Sequence, residues 1–189
     1  VYATDPSPSQ LQNAMARDNI HYQTAAENHP ELKKRSLDLI CVAQAAHYLD
    51  LEVFYKEVNR VLKKYGVLAC WNYGLPHIDP EIDECVTDFC TNFLNSSWDS
   101  KRRKLELNFR TLEFPLRESV TPRFEINTEW SLEHFMGFLG SMSATRKWRQ
   151  QKLEDPLLNI EEKLIALWGG VEKTRSVVFP LVMKMGVLT

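Results

Sequence analysis

The chain has 189 residues, 44% of them hydrophobic and 25% charged, with a formal net charge of −2. That length fits one α/β domain with an appended lobe, and that composition supplies a substantial core. A near-neutral charge gives no global reason to expect nucleic acid or an anionic membrane as partner, and no apolar run approaches the ~20 residues that cross a bilayer.

The chain opens on a short apolar run, Val1 to Thr4, closed by Asp5. A carboxylate at a strand end is where open parallel sheets place a ribose-binding acid; the plainer alternative is a turn former ahead of Pro6. Because the first residues already read as a strand, the sheet is expected to be incomplete at its amino-terminal end. Val1 to Gln10 has neither the basic head nor the apolar core of a signal peptide. Pro6 to Gln10 reads as a turn and helix start with Ser9 as cap. Ile20 to Thr24 reads as a strand, and Ala26 to Arg35 as a polar loop or short helix.

The most informative segment follows. Leu37, Leu39, Ile40, Cys41 and Val42 form an apolar strand-like run ending in the polar turn Gln44 to His47. An amphipathic helix spans Leu51 to Lys64, with Leu51, Phe54, Val58 and Val61 on one stripe and Gly66 as its expected terminator. A second apolar run, Val67 to Trp71, completes a strand, crossover helix and strand, the unit of a parallel sheet wrapped by helices.

Beyond Trp71 the pattern changes. Asn72 to Pro80 reads as a loop, Ile82 to Leu94 as a helix, Lys101 to Lys104 as a basic run, and Leu105 to Pro115 as strand-like. Phe124 to Ile126 reads as another strand. Ser131 caps a helix carrying Leu132, Phe135, Met136 and Leu139. Asp155-Pro156 is a helix stop. Asn159 with Glu162 resembles a capping box for a last helix ended by Gly169-Gly170. Val177 to Met183 reads as a closing strand in which Pro180 favours an edge or bulge position. The expected organisation is an incomplete α/β core over 1–71, a helical and aromatic lid over 72–156, and a helix and strand over 157–189 that return to the sheet.

The cysteines are Cys41, Cys70, Cys85 and Cys90. Cys41 and Cys70 lie inside apolar runs, where a thiol behaves as a small hydrophobe. Cys85 and Cys90 lack the spacing of a zinc knuckle or redox pair. The reading is no metal, reduced thiols and a cytoplasmic setting.

At VYATDPSPSQLQNA, DLICVAQAAHYLD and EVNRVLKKYGVLACW the chain resembles the class I S-adenosylmethionine-dependent methyltransferases. The tail, with WSLEHFMGFLGSMSATRKW and WGGVEKTRSVVFPLVMKMG, is similar to the small-molecule branch that includes trans-aconitate methyltransferase-like proteins. The resemblance implies a Rossmann-like methyltransferase sheet, although the family's glycine-rich loop would precede Val1. It implies S-adenosyl-L-methionine as cofactor, with Asp5 on the ribose hydroxyls, Pro6, Ser7, Ala25 and Ala26 around the adenine, and Ala43 and Gln44 towards the methionine part. His47 would point towards the methyl group or the acceptor, as a catalytic base or as an ordinary turn histidine. Trp71, Tyr73 and Trp148 would line the pocket of a small-molecule acceptor, with a carboxylate as the preferred class; core packing is the alternative for each. Trp130 reads as core, and Ser141 and Ser143 as a helix-end turn or as acceptor contacts. The second function class is a non-catalytic remnant or interaction module. A nicotinamide-dependent oxidoreductase shares the early sheet logic, but the downstream order of motifs favours methyl transfer.

Overall fold

The computed structural model describes residues 1–25, 27–98 and 114–189, which divide into two compact units. The expected basic run Lys101 to Lys104 and the strand-like Leu105 to Pro115 fall wholly or mostly outside the described residues. Unit 1 comprises Val1–Cys70, Glu113–Thr121 and Lys184–Thr189, and unit 2 the remaining residues.

Unit 1 opens with β1 (Tyr2–Asp5), α1 (Pro8–Gln12) and β2 (His21–Thr24). β1 and β2 pair in parallel, from Tyr2 opposite His21 to Asp5 opposite Thr24. Helix α1 begins two residues earlier than the Ser9 cap predicted: Ser7 is the N-cap and Pro8 the first helical residue, where a missing N–H costs nothing. Strand β3 (Leu37–Ala43) leads through a 3-10 turn, Ala46–Tyr48, to α2 (Leu51–Val61). The Asp50 side chain caps α2 by accepting from the N–H groups of Glu52 and Val53. Phe54, Val58 and Val61 bury the apolar stripe with Leu62 and Leu68.

A polar hub holds the segment between β2 and β3 onto α2. Arg60 donates to the carbonyls of Leu32 (2.7 Å) and His29 (2.9 Å), and to the Glu57 carboxylate. Glu57 also accepts from the His29 N–H. It is 9% exposed, and the Arg60 guanidinium, first, then the His29 N–H hold its carboxyl below the ordinary range against the opposing effect of burial.

Strand β4 (Leu62–Tyr73) starts where the helix was expected to continue. Gly66 therefore sits inside a strand, not at a helix end. It is required by close approach: a Cβ there would lie 2.9 Å from the Lys63 carbonyl and 3.2 Å from that of Leu37. Beside it within β4, Tyr65 takes a positive φ of 64°. Cys41 departs from its small-hydrophobe reading and is exposed, as is Leu39 at 55%, so the face of β3 that they share is uncovered among the described residues.

The larger sheet has the order β3-β4-β7-β5, with β6 also on β7; these are β5 (Arg117–Ser119), β6 (Phe124–Ser131) and β7 (Thr174–Val187). In unit 1, β5 and the end of β7 pair antiparallel.

Unit 2 packs α3 (Pro80–Asp88), α4 (Leu132–Ser141), α5 (Ser143–Lys152) and α6 (Glu161–Trp168) around one apolar cluster. Ile82, Leu94, Phe135, Leu139, Leu164, Trp168 and Val177 in it are wholly buried, each worth roughly 1.5–3 kcal/mol of burial. The predicted helix over Ile82 to Leu94 is α3 plus a π turn, Phe89–Phe93. Ser131 caps α4 as predicted. The Asn159 capping box does not form: Asp155 caps a 3-10 turn over Pro156–Asn159, and Ile160 precedes α6 without a side-chain cap. Gly169 and Gly170 end α6 at positive φ. Pro180 lies within β7, opposite Gly74 where β4 has already ended at Tyr73. It is tolerated because its missing N–H lies on the side facing the loop after β4, where only its carbonyl is used, by the N–H of Gly74.

Candidate active site

Parallel pairing brings the carboxyl ends of β1 and β2 together. Asp5 lies opposite Thr24, so Pro6 and Ala25 follow side by side. Asp5 is half-buried, and its Oδ1 accepts from the Ser7 N–H at 2.7 Å, which fixes the carboxylate and folds the chain into α1. Oδ2 carries no hydrogen bond among the described residues. The turn-forming and ligand-binding readings of Asp5 are thus compatible, each using a different oxygen.

The loop after β2 reaches the turn after β3 through one bond. Glu27 Oε1 accepts from the Asp50 N–H at 2.8 Å, at the start of α2 and just beyond Gln44 to His47. Unit 1 therefore gathers Asp5, Pro6, Ser7 and Ala25 at one pair of strand ends and ties the adjoining loop to the turn bearing Ala43, Gln44 and His47. Ala26 lies outside the described residues. Glu27 belongs to a segment that carries the family resemblance, Ala26-Glu27, but the sequence assigns it no role; its signal is an acid shortly after a strand.

Gln44 adopts φ 52°, a left-handed conformation that a non-glycine residue holds only when its surroundings over-determine it. Ala43 is exposed and Gln44 half-buried. His47 is 6% exposed, with its ring 4.0 Å from that of Tyr48.

Unit 2 holds the aromatic candidates. Trp71 and Tyr73, two apart on β4 and therefore on one side of it, are both half-buried. Tyr73 meets Phe179 edge-on at 5.4 Å, and Phe179 also contacts Trp130 and Phe138. Trp148 stacks on Phe93 at 4.6 Å, and Phe93 on Phe89. Trp148 and Tyr73 thus belong to separate ring clusters, and Trp130 packs as core, as read. The Ser141 hydroxyl donates to the Phe138 carbonyl, the helix-end turn.

Two polar features of unit 2 went unread. His77 Nδ1 lies 3.1 Å from Asp83 Oδ2, while Asp83 Oδ1 accepts from the Ile78 N–H. Arg175 pairs with Asp79 and donates to the carbonyls of Trp168 (3.0 Å) and Leu167 (2.9 Å), with its guanidinium over the Trp168 ring. Asp79 also caps α3 by accepting from Ile82. The Asp79-Pro80 pair was the readable half of that arrangement, a cap followed by proline at the first helical position.

Burial raises the Cys70 thiol to about 12, and burial, then the charges of Cys70 and Glu118, raises the Tyr55 hydroxyl to about 12. Both groups stay neutral near pH 7 and serve as packing. The cysteines are all free thiols, and no group of metal-ligating side chains occurs among the described residues. No helix of the described residues is long and apolar enough to cross a membrane.

Residues 1–70 match the methyltransferase domain family. A Dictyostelium discoideum protein that carries a methyltransferase assignment is 29% identical over 97% of this chain and 72% of its own length. A structure from Anaeromyxobacter dehalogenans with a type II methyltransferase assignment is 34% identical, superposes with a TM-score of 0.86, and is matched over 99% of this chain and 80% of that one. A protein from Anabaena variabilis assigned as a methyltransferase of antibiotic biosynthesis shares the fold at 14% identity and a TM-score of 0.52. With this likeness along nearly its whole length, the chain belongs to the class I S-adenosylmethionine-dependent methyltransferases.

Proposed function

We propose that this chain binds S-adenosyl-L-methionine at the carboxyl ends of β1, β2 and β3 and methylates a small molecule, with a carboxylate as the preferred acceptor. The cofactor supplies an electrophilic methyl group on a sulfonium. The observation that carries the reading is the state of Asp5: one carboxylate oxygen is held by the Ser7 N–H and the other is left to accept from a vicinal diol. Pro6, Ser7, Ala25 and Ala26 would line the adenine side, and Ala43 and Gln44 the methionine side, with the strained Gln44 backbone aimed by its turn.

Trp71, Tyr73 and Trp148 are the proposed acceptor-side residues, and His47 a residue that packs towards the reacting centre. A carboxylate acceptor is already anionic, so holding it in line and excluding water suffice without a base. The trans-aconitate methyltransferase-like branch is the proposed subfamily. Free thiols fit a cytoplasmic protein, and the balanced charge fits a partner that is neither nucleic acid nor membrane.

Calorimetry with S-adenosylhomocysteine tests the cofactor site. Asp5→Ala should weaken binding by roughly 10- to 100-fold, the value of hydrogen bonds to a charged acceptor. Asp5→Asn, which keeps an acceptor for Ser7 but loses the charge, should fall between Asp5→Ala and the parent. Equal affinity in all three chains would remove Asp5 from the site.

A further inference from the structure

Strand β6 is eight residues long and pairs on one side only, with β7. Among the described residues nothing pairs with its outer edge. Phe124 and Ile126 are 42% and 43% exposed along it. The strand FEINTEWS carries neither lysine nor proline, and its register with β7 runs one-to-one without a bulge. Lysine, proline and bulges are among the devices by which exposed edges are blunted against pairing, and the charges this strand does carry are Glu125 and Glu129.

The hydrogen-bonding parity of the free edge follows from β7. Val178 exchanges both backbone bonds with His77, at 2.8 and 2.9 Å, and Pro180 directs its carbonyl to Gly74. Both residues therefore turn their backbone groups away from β6. Val178 lies opposite Asn127 and Pro180 opposite Glu125, so these are non-hydrogen-bonded pairs, and Asn127 and Glu125 present their N–H and C=O groups outward. The period of two extends this to Glu129 and Arg123.

We propose that β6 pairs antiparallel with β6 of a second copy of this chain, about a two-fold axis through Ile126, to form a small symmetric dimer. The register satisfies three conditions together. Arg123, Glu125, Asn127 and Glu129, the residues with outward backbone groups, meet residues of the same kind. Arg123 faces Glu129 of the partner subunit, and Glu129 faces the partner's Arg123, while no hydrogen bond or ion pair among the described residues engages either side chain within the chain. Glu125 faces Asn127 of the partner subunit, so no acid meets an acid. On the other face Ile126 meets the partner's Ile126, and Phe124 meets the partner's Thr128, covering the exposed apolar pair. Sliding the axis by one residue along the chain in either direction sets an acid against an acid: Glu125 against the partner's Glu125, or against the partner's Glu129. An isologous contact of this kind closes on itself and does not propagate.

Sedimentation velocity on the full chain tests the dimer from ~1 µM to ~300 µM, where an interface of the smallest class is populated. The expected result is a concentration-dependent rise from the 22.0 kDa monomer towards twice that mass. Arg123→Glu and Glu129→Arg alone should each hold the chain monomeric, and the two together should restore association. Ile126→Lys should abolish it. Ile126→Cys should cross-link through residue 126 under mild oxidation, because opposed non-hydrogen-bonded residues bring their Cα atoms to ~4.5 Å, within disulfide reach. A parent chain that stays monomeric throughout overturns the proposal, as does capture of an unrelated extended peptide in place of self-association. Single charge variants that associate like the parent, or a folded double variant that does not associate, overturn it as well.

Discussion

Arg175 is the most concentrated polar investment in unit 2, and its removal has a magnitude that can be worked from its partners. Its guanidinium serves the Leu167 and Trp168 carbonyls at the end of α6 and the Asp79 carboxylate at the start of α3, with side-chain exposures of 22% for Arg175 and 30% for Asp79. Arg175→Leu leaves two helix-end carbonyls short of a donor and a half-buried carboxylate without its cation. Charge-assisted bonds are each worth ~1.5–3 kcal/mol when buried, and partial exposure here discounts the sum to about 3 kcal/mol. At ~2–4 °C per kcal/mol for a chain of this size, the melting temperature should fall by ~6–12 °C. Asp79 separates two contributions. Asp79→Asn keeps a good cap for α3 and loses the charge, whereas Asp79→Ala loses both, so Asp79→Ala should cost about 1 kcal/mol more. Thermal unfolding followed by tryptophan fluorescence, with Trp168 inside the affected region, gives the midpoints. A shift below ~2 °C for Arg175→Leu, or identical costs for Asp79→Asn and Asp79→Ala, would refute the reasoning.

Glu57 predicts an acid limb to stability. Its folded carboxyl titrates below its unfolded value, so its stabilisation is full above the unfolded value of ~4.3 and is lost as pH falls through the folded value. The advantage of the parent over Glu57→Gln, read from urea midpoints, should be constant above ~pH 5 and shrink towards zero below ~pH 4; a pH-independent difference would contradict it. The glycines give opposite signs. Gly137 sits inside α4 with nothing within 4 Å of an added Cβ, so Gly137→Ala should raise stability by ~0.5–1 kcal/mol. Gly66→Ala would press a Cβ against two backbone carbonyls and should lower it by ~1–3 kcal/mol. Thermal melts of the two variants shifting in the same direction would show that the backbone environments have been misjudged.

Some local signals in the sequence match the structure, although the Ser9 cap and the Asn159 capping box do not. Ser131 caps its helix, the stripe through Phe54, Val58 and Val61 is buried, and Gly169-Gly170 ends its helix. Other differences arise where a distant partner overrides a local cue. Lys63 and Lys64 look like a helix end followed by a glycine stop, but strand pairing takes over at Leu62 and converts Gly66 into a close-approach position. Pro180 looks like an edge marker, and its bare nitrogen faces the loop that follows the end of β4. At the candidate site, strand-end residues were legible because chain order fixes where strands end. The Glu27 bond to Asp50 was not, since it joins residues 23 positions apart whose pairing no local pattern encodes. The ring clusters that separate Trp148 from Tyr73 were hidden for the same reason.

Strands β4 and β7 each begin in one unit and finish in the other, changing over at Cys70 to Trp71 and at Met183 to Lys184. A recombinant fragment trimmed at either junction would end in the middle of a hydrogen-bonded ladder and carry raw backbone at its cut. Dissecting this enzyme by gene truncation is therefore the wrong approach, and insertions or permuted termini belong in the turns, not at the junctions where compactness alone would place them.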